Sequence, residues 1–400
     1  FIIVITCVYA IPAYLMVAFL GRQLLERDGS LGTTCRWALA AIVPALAFPV
    51  FLKVVLDLMP DIGGVVPCVA ATLLATTLTQ LIASPTRPEH PWSEAKNLVM
   101  PGLALGVLLA LLFLFRRWYV FFAVGLVLAS VLCVTHSLLL AQGNRRSVLV
   151  RTISTVSLIF VATLPIMGPI VFDWLGAPAA HNYADLYASY AKPAAQSLLG
   201  FVGEFGILYP VLAVGAILSL RNIFRNRRLV FILVATSVIA SSLFFSVQSP
   251  GPQHYYLLMP LFGASVCGFC IDLARRKGTN GASLFVVVIL GGGLVGTFVP
   301  SQSIWVKWTF PSYQPWTPPA QTGLAGLIQI GDWLISPDIR DKRFCLVSSS
   351  QQLNQSVLLN VWQVNKSVRR GTLKSRIEKL GEIDSRDGAP WESLKKCEVM

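Results

Sequence analysis

A small set of side chains carries all the chemistry this largely apolar chain has to offer. Arg116 and Arg117 are adjacent and are followed by Trp118 and Tyr119. A guanidinium binds phosphate oxygens through planar, two-pronged hydrogen bonds, and the aromatic neighbours suit lipid headgroups, so the group reads as a recognition element for a lipid phosphate. The alternative is an interfacial pair that snorkels toward water. Asp57 and Asp61 could line a polar cavity, as metal ligands or as acceptors for sugar hydroxyls. Each has a local alternative: Asp57 can pair with Lys53 four residues earlier, and Asp61, in Pro60-Asp-Ile-Gly-Gly64, can cap the helix that follows.

His181 begins His181-Asn-Tyr-Ala-Asp-Leu-Tyr187, a polar loop suited either to an interfacial helix or to a substrate lid. Glu204 is a carboxylate inside an apolar run and is a functional candidate by position, with Tyr209 or Lys192 available as local partners. His254 and Tyr255 complete the substrate-binding candidates. His136 and the pair Cys267 and Cys270 read as packing residues, because the CxxC spacing lies in an apolar helix with no second ligand pair. The chain carries no P-loop, GxSxG or HExxH motif, which disfavours an ATP-driven pump and the familiar hydrolases.

The elements that must position these groups are membrane helices. Of 400 residues, 55% are hydrophobic and 13% are charged, against roughly 25% charged in soluble proteins. A helix needs about 20 apolar residues to cross about 30 Å of hydrocarbon. Windows of that kind fall near 1–20, 37–59, 62–83, 98–115, 118–141, 152–172, 197–219, 229–247, 256–273 and 283–300, which predicts a polytopic all-α bundle of about ten spans over 1–300. The segment 118–141 either crosses fully or forms a re-entrant pair of half-helices. The net charge of +13 does not point to nucleic acid, since the cations punctuate the apolar runs rather than line one face.

If every span crosses, one set of connections holds fifteen Lys and Arg residues, among them Arg22, Arg145, Arg146, Arg151, Arg227 and Arg228, and the other holds three: Arg116, Arg117 and Lys192. The positive-inside rule makes the first set cytoplasmic. Asp57, Asp61, Arg116, Arg117, His181, Glu204, His254 and Tyr255 then gather at the opposite, outer face. The chain opens at Phe1 within an apolar run, without an initiator Met, so further sequence is expected upstream.

Beyond Pro300 the composition turns polar. Residues 301–322, with Trp305, Trp308, Pro311, Pro315, Trp316, Pro318 and Pro319, read as an interfacial connector. Residues 323–400 alternate a helix near 323–335, a strand over Arg343–Ser349, a helix near 351–362, a strand and turn over Glu382–Gly388 and a last helix near 390–397. That order predicts a small α/β extracytoplasmic domain, incomplete at Met400, in which Cys345 and Cys397 are free to form a disulfide.

Three segments resemble the GT-C superfamily of membrane glycosyltransferases, in particular the bacterial protein O-mannosyltransferase-like branch. They are Leu20-Gly-Arg-Gln-Leu-Leu-Glu-Arg-Asp-Gly-Ser-Leu31, the run from Arg116-Arg-Trp-Tyr119 to Thr135-His136, and Gln253-His-Tyr-Tyr-Leu-Leu-Met-Pro260. The resemblance covers roughly 1–300. It implies transfer of a sugar from a polyprenyl-phosphate-linked donor to a glycan, lipid or protein acceptor at the extracytoplasmic face of a bacterial inner membrane. The phosphate-facing role would fall to Arg116, Arg117 and His254, with Asp57 and Asp61 as cavity carboxylates. The catalytic base of such enzymes lies in an outer loop that would precede Phe1. No cofactor is assigned, and a divalent metal ion is compatible with the carboxylates. The competing readings are a transporter or flippase of lipid-linked saccharides, and a non-catalytic envelope assembly protein.

Overall fold

A computed structural model describes residues 4–25, 55, 60–84, 91–116, 118–140, 145–176, 193–220, 226–247, 252–298 and 324–334, with short pieces at 336–337, 342, 344–345, 377–378 and 395. The chain divides into two compact units, Phe1–His181 with Tyr190–Trp316, and Asn182–Ser189 with Thr317–Met400.

The first unit is a helix bundle. A π-helical turn, Ile5–Ala10, runs into α1 (Ile11–Leu25). After a 3-10 turn, Pro60–Gly64, come α2 (Val65–Ala83), α3 (Pro91–Phe115), α4 (Tyr119–Leu140) and α5 (Arg145–Gly176). Then follow α6 (Ala194–Phe205), α7 (Leu208–Leu220), α8 (Arg227–Val247), a second 3-10 turn at Pro252–Leu257, and α9 (Met259–Phe298), which is broken at Gly278.

Among the described residues six helices are long and apolar enough to cross a membrane: Ile5–Leu24, Asp61–Ala83, Asn97–Phe115, Tyr119–Leu140, Arg145–Pro169 and Arg227–Ser246. Met259–Leu273 is apolar but shorter. The protein is therefore an integral membrane protein. Its outward surface agrees: Ile153, Val156, Phe160 and Val161 of α5 are all more than half exposed, which is stable only against lipid.

Tyr119–Leu140 is one unbroken helix long enough to cross, so 118–141 follows the full-spanning reading and not the re-entrant alternative. One expectation is corrected. The expected span 197–219 is interrupted: α6 ends at Gly206, whose φ of 66° lies in the left-handed region, and α7 starts two residues later. Glycine enters that region without the Cβ clash that other residues suffer. The expected span 37–59 lies outside the described residues, apart from Val55.

Close helix packing rests on small residues, as expected where lipid offers no hydrophobic gain for association. A Cβ on Gly125 of α4 would come within 2.7 Å of the Thr236 carbonyl oxygen of α8, and one on Gly106 of α3 would meet the Ile159 carbonyl oxygen of α5 at 2.5 Å. Two buried threonines of α2 spend their hydroxyl donors on its own backbone. Thr72 Oγ1 donates to the Cys68 carbonyl and Thr76 Oγ1 to the Thr72 carbonyl, both at 2.8 Å, so no unsatisfied donor faces hydrocarbon at these positions.

In the second unit the structure describes α10 (Leu324–Leu334) and a parallel pair, β1 (Phe344–Cys345) and β2 (Ile377–Glu378), with Phe344 opposite Ile377. The helix near 323–335 and the start of the strand over 343–349 fall where expected. The partner strand at Ile377 was not foreseen. The predicted elements near 351–362 and over Glu382–Gly388 lie outside the described residues; so does 390–397, apart from a turn at Lys395.

Candidate functional site

The site begins with the short turn Pro60–Gly64 that leads into α2. Its two glycines are dictated by aromatic rings that press on the backbone: a Cβ on Gly63 would strike the rings of Tyr9 and Phe115, and one on Gly64 would strike the ring of Tyr119. With the turn clamped in this way, Asp61 points inward and its side chain is only 2% exposed.

A buried carboxylate is tolerated only when it is paired and hydrogen-bonded. Asp61 meets both conditions. Arg116, at the end of α3, places Nε 2.9 Å from Oδ1 and Nη2 3.3 Å from Oδ2, a two-pronged pairing. The Tyr119 hydroxyl donates to the Asp61 backbone carbonyl at 2.6 Å. Arg116 itself remains 47% exposed. Asp61 does not cap α2: that position is held by Gly64, which makes no side-chain capping bond.

His254 lies in the second 3-10 turn, beside the same aromatic group. Its ring centroid is 5.5 Å from that of Trp118 and 4.5 Å from that of Phe244. Burial among these rings pulls its pKa down to about 4, since desolvation disfavours the imidazolium. At neutral pH His254 is therefore an uncharged donor or acceptor. Gln253 Nε2 stands 3.5 Å from His254 Nε2. Tyr255 is buried edge-on against Phe201 and Phe205, with centroids at 5.7 and 4.9 Å, which makes it a packing residue.

The structure thus brings Asp61, Arg116 and His254 to one aromatic cluster, together with Trp118 and Tyr119. Glu204 lies in α6, two residues before the break at Gly206. Asp57, Arg117 and His181 lie outside the described residues. Cys267 and Cys270 are buried, as the packing reading expects, and Cys267 lies close to Gly21. His136 is exposed on α4. Among the described residues no group of three His, Cys, Asp or Glu side chains could hold a metal ion.

The opposite end of α2 holds arginines that were counted in the sequence only as topology markers. Arg151 Nη1 donates to the carbonyls of Leu81 and Ser84, at 3.3 and 2.9 Å. Arg228 Nη1 donates to the Thr79 carbonyl at 2.6 Å, and its Nη2 lies 3.4 Å from Ser137 Oγ. Gln80 Nε2 donates to Asn226 Oδ1, which also accepts from the Leu229 amide at the start of α8. These contacts satisfy the last carbonyls of α2 and set positive charge against the negative end of its dipole.

No family model matches the chain, and no match was found among curated proteins or solved structures.

Proposed function

We propose that this protein is a membrane glycosyltransferase of the GT-C kind, moving a sugar from a polyprenyl-phosphate-linked donor to a glycan, lipid or protein acceptor. The observation that carries the reading is the Arg116–Asp61 pair. The carboxylate engages Nε and Nη2, so the Nη1 edge of a half-exposed guanidinium lies beyond the pair, in a fixed orientation at the end of a membrane-crossing helix. A cation held in this way suits a lipid phosphate that becomes a leaving group, because a preorganised charge stabilises the departing anion without reorganising at the moment of reaction.

In this reading Asp61 is a positioning residue that aims Arg116, and neutral His254 offers hydrogen bonding rather than charge. Arg117, Asp57, His181 and Glu204 are further substrate-binding candidates on sequence grounds. The site faces the extracytoplasmic side of a bacterial inner membrane. What supports the sidedness is the charge pattern: Arg22 in the last turn of α1, with Arg151 and Arg228 at the far end of α2, belong to the basic set of connections. Residues 323–400 are read as a small α/β domain, which α10 and the parallel pairing of Phe344–Cys345 with Ile377–Glu378 support; its extracytoplasmic placement rests on the charge pattern of the sequence alone.

A flippase for lipid-linked saccharides is the second reading. The helix break at Gly206 supports it, since interrupted helices are the mark of such transporters. Proteoliposomes supplied with a polyprenyl-phosphate sugar separate the two. Sugar appearing on an added acceptor, and lost in Arg116→Gln, supports the transferase. Movement of intact donor between leaflets without transfer rejects it in favour of the flippase.

A further inference from the structure

A cavity of about 180 Å³ opens between α2, α3, α4 and α5, well away from the Asp61 cluster. Its walls include Leu105, Leu109, Leu126, Val131, Val156 and Ile159. Apolar cavities of about 150 Å³ stay dry and take up hydrocarbon, so water is a poor occupant. Val127 and Val131 at its rim are 45% and 52% exposed, which puts the opening on the lipid-facing surface of the bundle.

Ser130 and Thr155 also line the cavity, and its other hydroxyl side chains lie closer to the basic end. Thr79, Thr135 and Thr152 border it there, and Thr79 is the residue whose carbonyl receives Arg228. Arg145, in the first turn of α5, is exposed. Arg145, Thr152 and Ile159 are successively seven residues apart, so all three fall on one face of α5, with Arg145 about 10 Å beyond Thr152 toward the membrane surface. A hydrocarbon slot with a cation about 10 Å beyond it toward the membrane surface, at the positive end of a helix dipole, is complementary to an anionic amphiphile.

We propose that this cavity is a binding site for an anionic phospholipid of the leaflet at the Arg151 and Arg228 end, with one acyl chain in the slot and the phosphate on Arg145. The site is separate from the Asp61–Arg116 cluster and does not depend on what that cluster binds.

Native mass spectrometry of the purified full chain tests it, with phosphatidylglycerol, phosphatidylcholine of the same acyl chains, and inorganic phosphate as probes. The expected result is one retained phosphatidylglycerol, favoured about fivefold over phosphatidylcholine, the order that one surface arginine contributes. Arg145→Gln removes that preference and Arg145→Lys restores it. Val131→Trp, or Val127→Trp should the first unfold, lowers retention of both lipids by filling the rim. Equal retention of the two lipids by the wild type, a preference unmoved by Arg145→Gln, retention unmoved by either tryptophan, or displacement of the lipid by inorganic phosphate would each overturn the proposal.

Discussion

The two ends of α2 use the same side chain for different ends. At the Ala83 end, Arg151 and Arg228 spend donors on the carbonyls of Thr79, Leu81 and Ser84, and Arg151 is only 8% exposed. At the Asp61 end, Arg116 meets a buried carboxylate and stays half exposed. A cap satisfies backbone that the fold leaves open, whereas a carboxylate on one edge of a guanidinium fixes its direction and leaves the other edge for a ligand. The partner, more than the arginine, decides whether a cation near the membrane surface serves the fold or the site.

Loss of Arg116 should show the largest effect on stability. Arg116→Ala strands the Asp61 carboxylate in its enclosed position, and removing one partner of a buried pair costs roughly 3–5 kcal/mol. Because Arg116 is itself half exposed, the lower part of that range is expected. The double variant Asp61→Asn with Arg116→Ala should recover part of the loss, and unfolding in detergent measures both. Recovery by the double variant would locate the penalty in the bare carboxylate; a double variant as unstable as the single one would break the comparison.

Acid should act next, at the Asp61 end. The pKa of His254 is depressed to about 4 from the ordinary value of 6.5, so the unfolded chain binds more protons between those values. The neutral imidazole therefore contributes fully above about pH 6.5, and its contribution is lost as pH falls toward 4, by at most about 3 kcal/mol. A His254→Gln variant should flatten that part of the pH profile in thermal unfolding.

At the Ala83 end, Arg151→Gln should cost about 1–3 kcal/mol, because two carbonyls lose a charged donor, and it should leave lipid-phosphate binding at the Asp61 end unchanged. The smallest effect expected is that of Tyr119→Phe. It removes one hydrogen bond to the Asp61 carbonyl, at about 1 kcal/mol, and slackens the turn that aims Arg116. Its sharper readout is a weaker lipid-phosphate affinity with little change in unfolding.

Hydropathy made most of the bundle legible. The spans expected at 62–83, 98–115 and 118–141 fall within two residues of the helices described, because an apolar run of that length has no other stable home. The break at Gly206 was missed, although Gly200, Gly203 and Gly206 punctuate that run at three-residue spacing; hydropathy averages over backbone geometry, and only a left-handed residue such as Gly206 shows where the helix stops. The site was legible as a group of polar residues at one end of the bundle, but not as a set of pairs. Asp61 and Arg116 are 55 residues apart, and helices apolar on every side carry no periodic signal to say which faces meet. For the same reason Arg151 and Arg228 could be counted as charges in the sequence while their role as caps on α2 stayed hidden.

The most direct test of the account is the affinity of the purified protein for a polyprenyl monophosphate in detergent, measured for the wild type, Arg116→Gln and Arg151→Gln. The account predicts at least a tenfold loss for Arg116→Gln, the value of one charge-assisted contact of about 1.4 kcal/mol or more, and wild-type affinity for Arg151→Gln. Equal affinities for the wild type and Arg116→Gln would contradict it.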